Sequence, residues 1–271
     1  MPHHLRLARG AAALLATVGA LLVPAVAGAA SQTASSGGVT ATFTYHSSGF
    51  SYHAETITIK RHGQVVYSHS VAAGPACGTG CAPAPAGKSV HVLDLEHNGG
   101  RDVLLELYTG GAHCCYIAQI YYPSGKTFHK AQRNFGDPGW RLKDLSHNGH
   151  FEFLSANDAF AYQFTDYAAS GTPIQILTFS HGRFHDVTRA HLRLIAADAK
   201  NWLNLFKHNY GDGEGFIAAW AADEYMLGHK TQADRYLNAQ ATAGHLKTPL
   251  AGPQGHKFVV ALQKFLKKQG Y

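Results

Sequence analysis

The chain is poor in acids, in methionine and tryptophan, and in recognisable reaction motifs. Only 17 of its 271 residues are Asp or Glu, so few carboxylates are available for acid–base chemistry. It has no Gly-x-Ser-x-Gly elbow, no His-Glu-x-x-His zinc helix and no dinucleotide-type glycine fingerprint with a placed acid. These gaps remove the commonest ways in which an enzyme declares itself in its sequence. Beyond the first two dozen residues no apolar run reaches the roughly 18 residues of a membrane span. No cysteine precedes Cys77, so a lipid anchor near the N-terminus is not expected. The segment 74–89 ends in Gly87-Lys88-Ser89, similar to a phosphate-binding loop. That motif requires glycine at position 82, which is Ala82 here, and the prolines nearby remove amide donors.

The N-terminus has Arg6 and Arg9, an apolar run from about Ala11 to Val23, Pro24, and small residues ending Ala27-Gly28-Ala29. This is the pattern of a signal peptide, residues 1–29, and it implies a secreted protein, extracellular or associated with the cell wall. The formal charge is +6; residues 1–29 hold two arginines and no acid, so removing them leaves +4. A dispersed charge of that size suits contact with anionic surfaces and does not support nucleic-acid binding.

Export exposes Cys77, Cys81, Cys114 and Cys115 to an oxidising compartment, where two disulfides are the default. Four cysteines allow three pairings. The expected one joins the Cys77–Cys81 loop to the Cys114–Cys115 strand, because a vicinal bridge strains the backbone and the 77–81 bridge closes only a small loop. Neighbours on a strand point to opposite faces, which argues against a His113–Cys114 nucleophile pair or a soft-metal site.

From residue 38 to about 188 the chain reads as strands. Alternation in Val39–Tyr45 and the glycine turns at Gly63, Gly125 and Gly182, each between branched or aromatic residues, predict three hairpins. Aligning Asp94 with Asp144 gives a period of about fifty residues, as in propeller blades or a related stack of sheets. With two clear units and a weaker N-terminal one, an open or sandwich-like stack is expected rather than a closed propeller. After residue 188, apolar residues at steps of three and four (Leu192, Ile195, Ala199, Trp202, Phe206) predict helices. The expected class is therefore α+β. Its parts are a flexible N-terminus at 30–37, a repeat-built antiparallel β domain at 38–188 with a cysteine loop at 74–89, and a helical domain at 189–271.

Two segments carry oxygen-bearing side chains at the same offsets: Asp94, Glu96, Asn98 and Asp102, then Asp144, Ser146, Asn148 and Glu152. Each has a glycine at the sixth position, Gly99 or Gly149. Oxygens at the first, third, fifth and ninth positions around a sharp glycine turn can converge on a hard cation. Placed before strands such as Asp102–Leu107 and Glu152–Leu154, these loops resemble degenerate FG-GAP or VCBS-type repeats of secreted bacterial proteins. The resemblance covers about a hundred residues and implies structural calcium beside a blade-like unit. The backbone carbonyls of Gly100 and His150 would complete the two coordination sets, with the less charged second loop the weaker site.

Tyrosines crowd the strands, and Tyr108, Tyr116, Tyr121 and Tyr162 are a candidate ligand platform, with core packing as the plainer alternative. The favoured reading is a noncatalytic binding protein with a calcium-type loop, its partner a cell-wall polymer or a carbohydrate. The alternative is a secreted hydrolase acting on such polymers, and no catalytic residue is assigned.

Overall fold

The computed structural model describes residues 28–71, 74, 77–78, 80–247 and 252–271; residues 1–27 of the expected signal peptide lie outside the described residues. Three open antiparallel sheets come first. One contains β1 (Gly28–Ser36), β2 (Val39–Ser48), β3 (Ser51–Arg61) and β4 (Gln64–Ser70) in sequential order. The second contains β5 (Ala82–Pro83), β6 (Val90–Leu93), β7 (Asp102–Gly111), β8 (Cys114–Ser124) and β9 (Thr127–Asn134), with β5 and β6 both pairing β7. The third contains β10 (Arg141–Lys143), β11 (Glu152–Ala156), β12 (Ile174–Ser180) and β13 (Arg183–Asp186). Four helices follow: α1 (Leu192–His208), α2 (Glu214–Met226), α3 (Lys230–Thr242) and α4 (His256–Gln269). The class is α+β, and none of the described sheets closes into a barrel or propeller.

The sheets stack face to face, with the second in the middle. One of its faces (Val103, Leu105, Leu107, Ile117, Tyr121, Phe128) packs on Val39, Ala41, Phe43, Ile57 and Ile59 of the first sheet. Its other face (Leu104, Ala118, Ile120, Phe135) packs on Phe153, Leu177 and Phe179 of the third. Consecutive residues are therefore buried, Asp102–Leu105 in β7 and Ile117–Tyr121 in β8, whereas β2 alternates. Each fully buried Leu, Ile or Phe contributes roughly 1.5–3 kcal/mol to this arrangement.

The expectation of a flexible segment at 30–37 is corrected. All nine residues of β1 pair with β2, although Ser, Thr, Gln and Ala give the segment no apolar alternation. The ladder is supplemented by hydroxyl pairs between Thr33 and Thr42 and between Ser35 and Thr40. Gln32 Oε1 also accepts the Ser89 amide of the second sheet at 2.6 Å.

The cysteine pairing is also corrected: the bridges are Cys77–Cys81 and Cys114–Cys115. A turn in which the Gly80 amide donates to the Cys77 carbonyl brings Cys77 and Cys81 to a Cα separation of 4.8 Å, within ordinary disulfide reach. Cys114 and Cys115 lie at the tip of the β7–β8 hairpin, where the register slips between Tyr108 and Gly111. The backbone strain expected of a vicinal bridge therefore falls on an irregular hairpin tip and not on a regular strand.

Among the helices, α2 is buried on nearly every face (Ile217, Ala218, Ala219, Trp220, Ala221, Ala222), so it is the core of the helical layer rather than an amphipathic cover. Arg189 donates to the Met226 and Gly270 carbonyls, satisfying the ends of α2 and α4 at once. Where α1 meets β12, Asp198 accepts from the Ile174 amide and the Trp202 indole, both at 2.9 Å. Asp223 of α2 is fully buried beside it.

Burial, and after it the neighbouring Asp198 carboxylate, pushes Asp223 far above the ordinary carboxylate range. The folded state therefore holds a proton that the unfolded chain releases near its usual pKa of about 4. The associated stability is fully present below that pH and declines as pH rises toward the raised folded-state value. Asp223→Asn, which cannot ionise, is expected to melt higher than wild type at about pH 8, by roughly 2–4 °C for each kcal/mol recovered, and to match it near pH 4. Parallel melting midpoints for the two proteins across that range would contradict this assignment.

Candidate functional site

The two acidic loops, β6–β7 and β10–β11, are built bond for bond alike. In the first, Asp94 accepts the amides of Asn98 and Gly99 at 3.0 and 2.9 Å, and Asn98 Oδ1 accepts that of Gly100 at 2.7 Å. Asp102 accepts the Leu95 amide at 3.2 Å. In the second, Asp144 accepts the amides of Asn148 and Gly149, Asn148 accepts that of His150, and Glu152 accepts that of Leu145. Ser146 donates to Glu152 at 3.3 Å. The left-handed turn takes His97 and Gly99 at φ 51° and 83°, and His147 and Gly149 at 53° and 85°, a conformation glycine adopts freely and histidine tolerates.

The expected calcium donors of the first loop are engaged within the protein. Arg101 Nη1 lies 3.1 Å from Asp94 Oδ2 and 2.8 Å from the Gly100 carbonyl. Glu96 accepts the His181 amide with one oxygen and the Asn98 side-chain amide with the other. As folded, this donor set does not fit a calcium ion without displacing the guanidinium. Among the described residues no group of three or more His, Cys, Asp or Glu side chains is arranged to hold a metal. Asp102 is buried, and desolvation pushes its carboxyl up to about 7 despite the Leu95 amide. At Asp144 desolvation acts upward and is the largest single influence, but the Gly149 and Asn148 amides together with His147 outweigh it and hold the carboxyl below its ordinary range.

The loops also join the sheets. The His97 ring lies over Gly149 and 5.8 Å from the His150 ring, and the Phe151 amide donates to the Leu95 carbonyl. Chemically the loops are joints, with their aspartate and asparagine side chains engaged by the loops' own backbone amides.

A groove lies between the β5/β6 edge of the middle sheet and β10 of the third, with Phe151 of the second loop in its lining. It has two connected lobes of about 300 and 450 Å³ that share Glu106 and Trp140. The smaller lobe adds Tyr116, Asp137 and Pro85; the larger adds His91 and Lys143. Tyr116 lies 5.0 Å from the Tyr108 ring and 6.5 Å, edge-on, from Trp140. Asp137 accepts the Tyr167 hydroxyl. Tyr167 stacks on His113 at 3.9 Å beside the exposed Tyr162, extending the aromatic strip to the Cys114–Cys115 tip. Glu106 pairs with His91 at 3.4 Å. The Glu106 hydrogen bond is the largest influence on the imidazole and raises its pKa against the opposing effect of burial.

Of the expected platform, Tyr116 lines the groove, Tyr108 packs against Tyr116 without lining it, and Tyr162 lies near the hairpin tip beside Tyr167. Tyr121 is corrected: it is wholly buried between the first and middle sheets, its hydroxyl donating to Gln119 at 2.6 Å. Tyr116 and Tyr121 are an odd number of positions apart on β8, so they face opposite sides. Sequence reasoning missed Glu106, Asp137, Trp140 and His91. Glu106 interrupting the apolar run of β7 was the one available signal.

A curated protein of Synechocystis sp., named as a probable thylakoid lumen protein, is 26% identical to this chain over 149 residues, 51% of this chain and 44% of that protein. An uncharacterized protein of Sinorhizobium fredii is 27% identical over 136 residues, 48% of this chain and 22% of its own length. The chain thus spans less than half of either relative. No family model matches it, and no solved structure does. No helix among the described residues is long and apolar enough to cross a membrane.

The disulfide assignment is checked by a tryptic map without reductant. Cys77 and Cys81 fall between Arg61 and Lys88, and Cys114 and Cys115 between Arg101 and Lys126. Two separate, internally oxidised peptides are expected; a single cross-linked species joining them would show the loop-to-strand pairing instead.

Proposed function

We propose that this is an extracytoplasmic, noncatalytic binding protein that holds a polyhydroxylated polymer, a carbohydrate or wall glycan, in the groove between its middle and third sheets. The observation that carries this reading is the pair Tyr116–Trp140 lining one groove with the carboxylates Glu106 and Asp137, with Tyr108 packed against Tyr116 beside it. Aromatic faces accept the apolar face of a sugar ring, and a few placed polar groups fix its orientation. Location outside the cytoplasm is supported by the signal-like N-terminus and by the named lumenal compartment of the Synechocystis relative. Three stacked antiparallel sheets, two of four strands and one of five, and two matching loops support reading the sheets as blade-like units of FG-GAP or VCBS type. Calcium belongs to that family reading.

Binding is favoured over hydrolysis because neither groove carboxylate lacks a partner: Glu106 faces His91 and Asp137 accepts the Tyr167 hydroxyl. Glycoside hydrolysis still has a minimal requirement here, two carboxyls in one groove, and it is the rival outcome.

The test is co-sedimentation with purified cell-wall glycan and affinity electrophoresis in soluble polysaccharides, with variants checked for folding by thermal melting. Tyr116→Ala and Glu106→Gln are each expected to weaken binding about tenfold, equivalent to about 1.4 kcal/mol. His181→Ala, at the loop end of the stack, should leave binding intact. Release of reducing ends that Glu106→Gln abolishes would establish the hydrolase, and binding indifferent to both groove variants would remove the groove from the function.

A further inference from the structure

The two acidic loops share every backbone-capping bond but differ at the eighth position, Arg101 in the first and Phe151 in the second. Phe151 packs toward the core between the middle and third sheets. Arg101 turns its guanidinium back into its own loop, where Nη1 contacts the first-position carboxylate, Asp94 Oδ2, at 3.1 Å and the seventh-position carbonyl, Gly100, at 2.8 Å. Those are two of the groups that a calcium-type loop directs at its cation. A guanidinium is a permanent cation whose several N–H donors can reach a carboxylate and a carbonyl together.

The rest of the side chain is built in. Arg101 Nε is buried and makes no hydrogen bond. It lies under the β1–β2 turn of the first sheet, where a Cβ on Gly37 would come within 2.7 Å of Nε. Only glycine permits that approach, and Gly37 already has a positive φ of 54°. One side chain therefore supplies positive charge to the first loop and clamps the turn of the neighbouring sheet.

We propose that the Arg101 guanidinium is the resident cation of the first acidic loop, occupying the electrostatic place of a divalent ion and making the joint between the first two sheets independent of calcium. This explains how Asp94 and Glu96 can lie close together beside the buried Asp102 in a loop that also carries a sheet-to-sheet contact. It also reverses the order expected from charge count alone, because the loop with more acids is the one that contains its own counter-charge.

The experiment is thermal melting in millimolar calcium chloride and in chelator, in an Asp144→Asn background so that only the first loop can respond. With Arg101 intact, the midpoint is expected to be the same in both conditions. Adding Arg101→Gln should lower the chelated midpoint by roughly 2–4 °C, and calcium should restore part of that loss by binding the folded state. A calcium-dependent rise with Arg101 intact would overturn the proposal, as would an unchanged midpoint on adding Arg101→Gln. The comparison with Arg101 intact decides the matter even if the double variant does not fold.

Discussion

Burial of the middle sheet on both faces is the constraint from which the rest of the structure follows. A sheet with water on one side can be specified by alternation; one covered twice needs apolar side chains pointing both ways and a partner for every polar group it encloses. Val103-Leu104-Leu105 and Ile117–Tyr121 meet the first demand. The chain of Tyr121 hydroxyl to Gln119 and Gln119 to Gln132 meets the second. Beyond the area covered by the third sheet, Glu106 of β7 and Tyr116 of β8 are left to line the groove, and the aromatic strip continues from there to the hairpin tip.

Stacking three sheets also creates a registration problem, because apolar faces alone allow sliding. Polar contacts at the loop end resist it: Arg101 between the first sheet and the first loop, Glu96 with the His181 amide, and the His97 ring over Gly149. Arg61 adds a bond to the Gly125 carbonyl across the hairpin turns. The structural polar contacts thus gather at the loop end of the stack, next to the larger lobe of the candidate groove, whose lining includes Leu93, Lys143 and Phe151.

Much of this was legible in the sequence, and what was missed has local causes. Glycine turns at Gly63, Gly125 and Gly182, the fifty-residue offset of Asp94 and Asp144, and the helical steps after residue 188 led to the α+β class and to the open stack. β1 was hidden because a strand held by its ladder and by Thr and Ser hydroxyl pairs carries no apolar signal. The cysteine pairing was misjudged because Gly80 closes a turn and the β7–β8 tip is irregular, and neither can be inferred from spacing. Asp94 and Asp102, expected as calcium donors, lie in an organised loop whose cationic member, Arg101, occupies a position that coordination rules treat as silent. The groove was the least visible part, since Glu106 lies on β7 and Asp137 and Trp140 in the β9–β10 connection, and only sheet stacking brings them together.

Native-state hydrogen exchange tests the central role of the middle sheet most directly. If its double burial holds the stack together, the amides of Val103–Leu107 and Ile117–Tyr121 should exchange only through global unfolding and share the highest protection in the molecule. Exchange of these amides through a lower-energy opening, with β2–β3 or α2 more strongly protected, would contradict it.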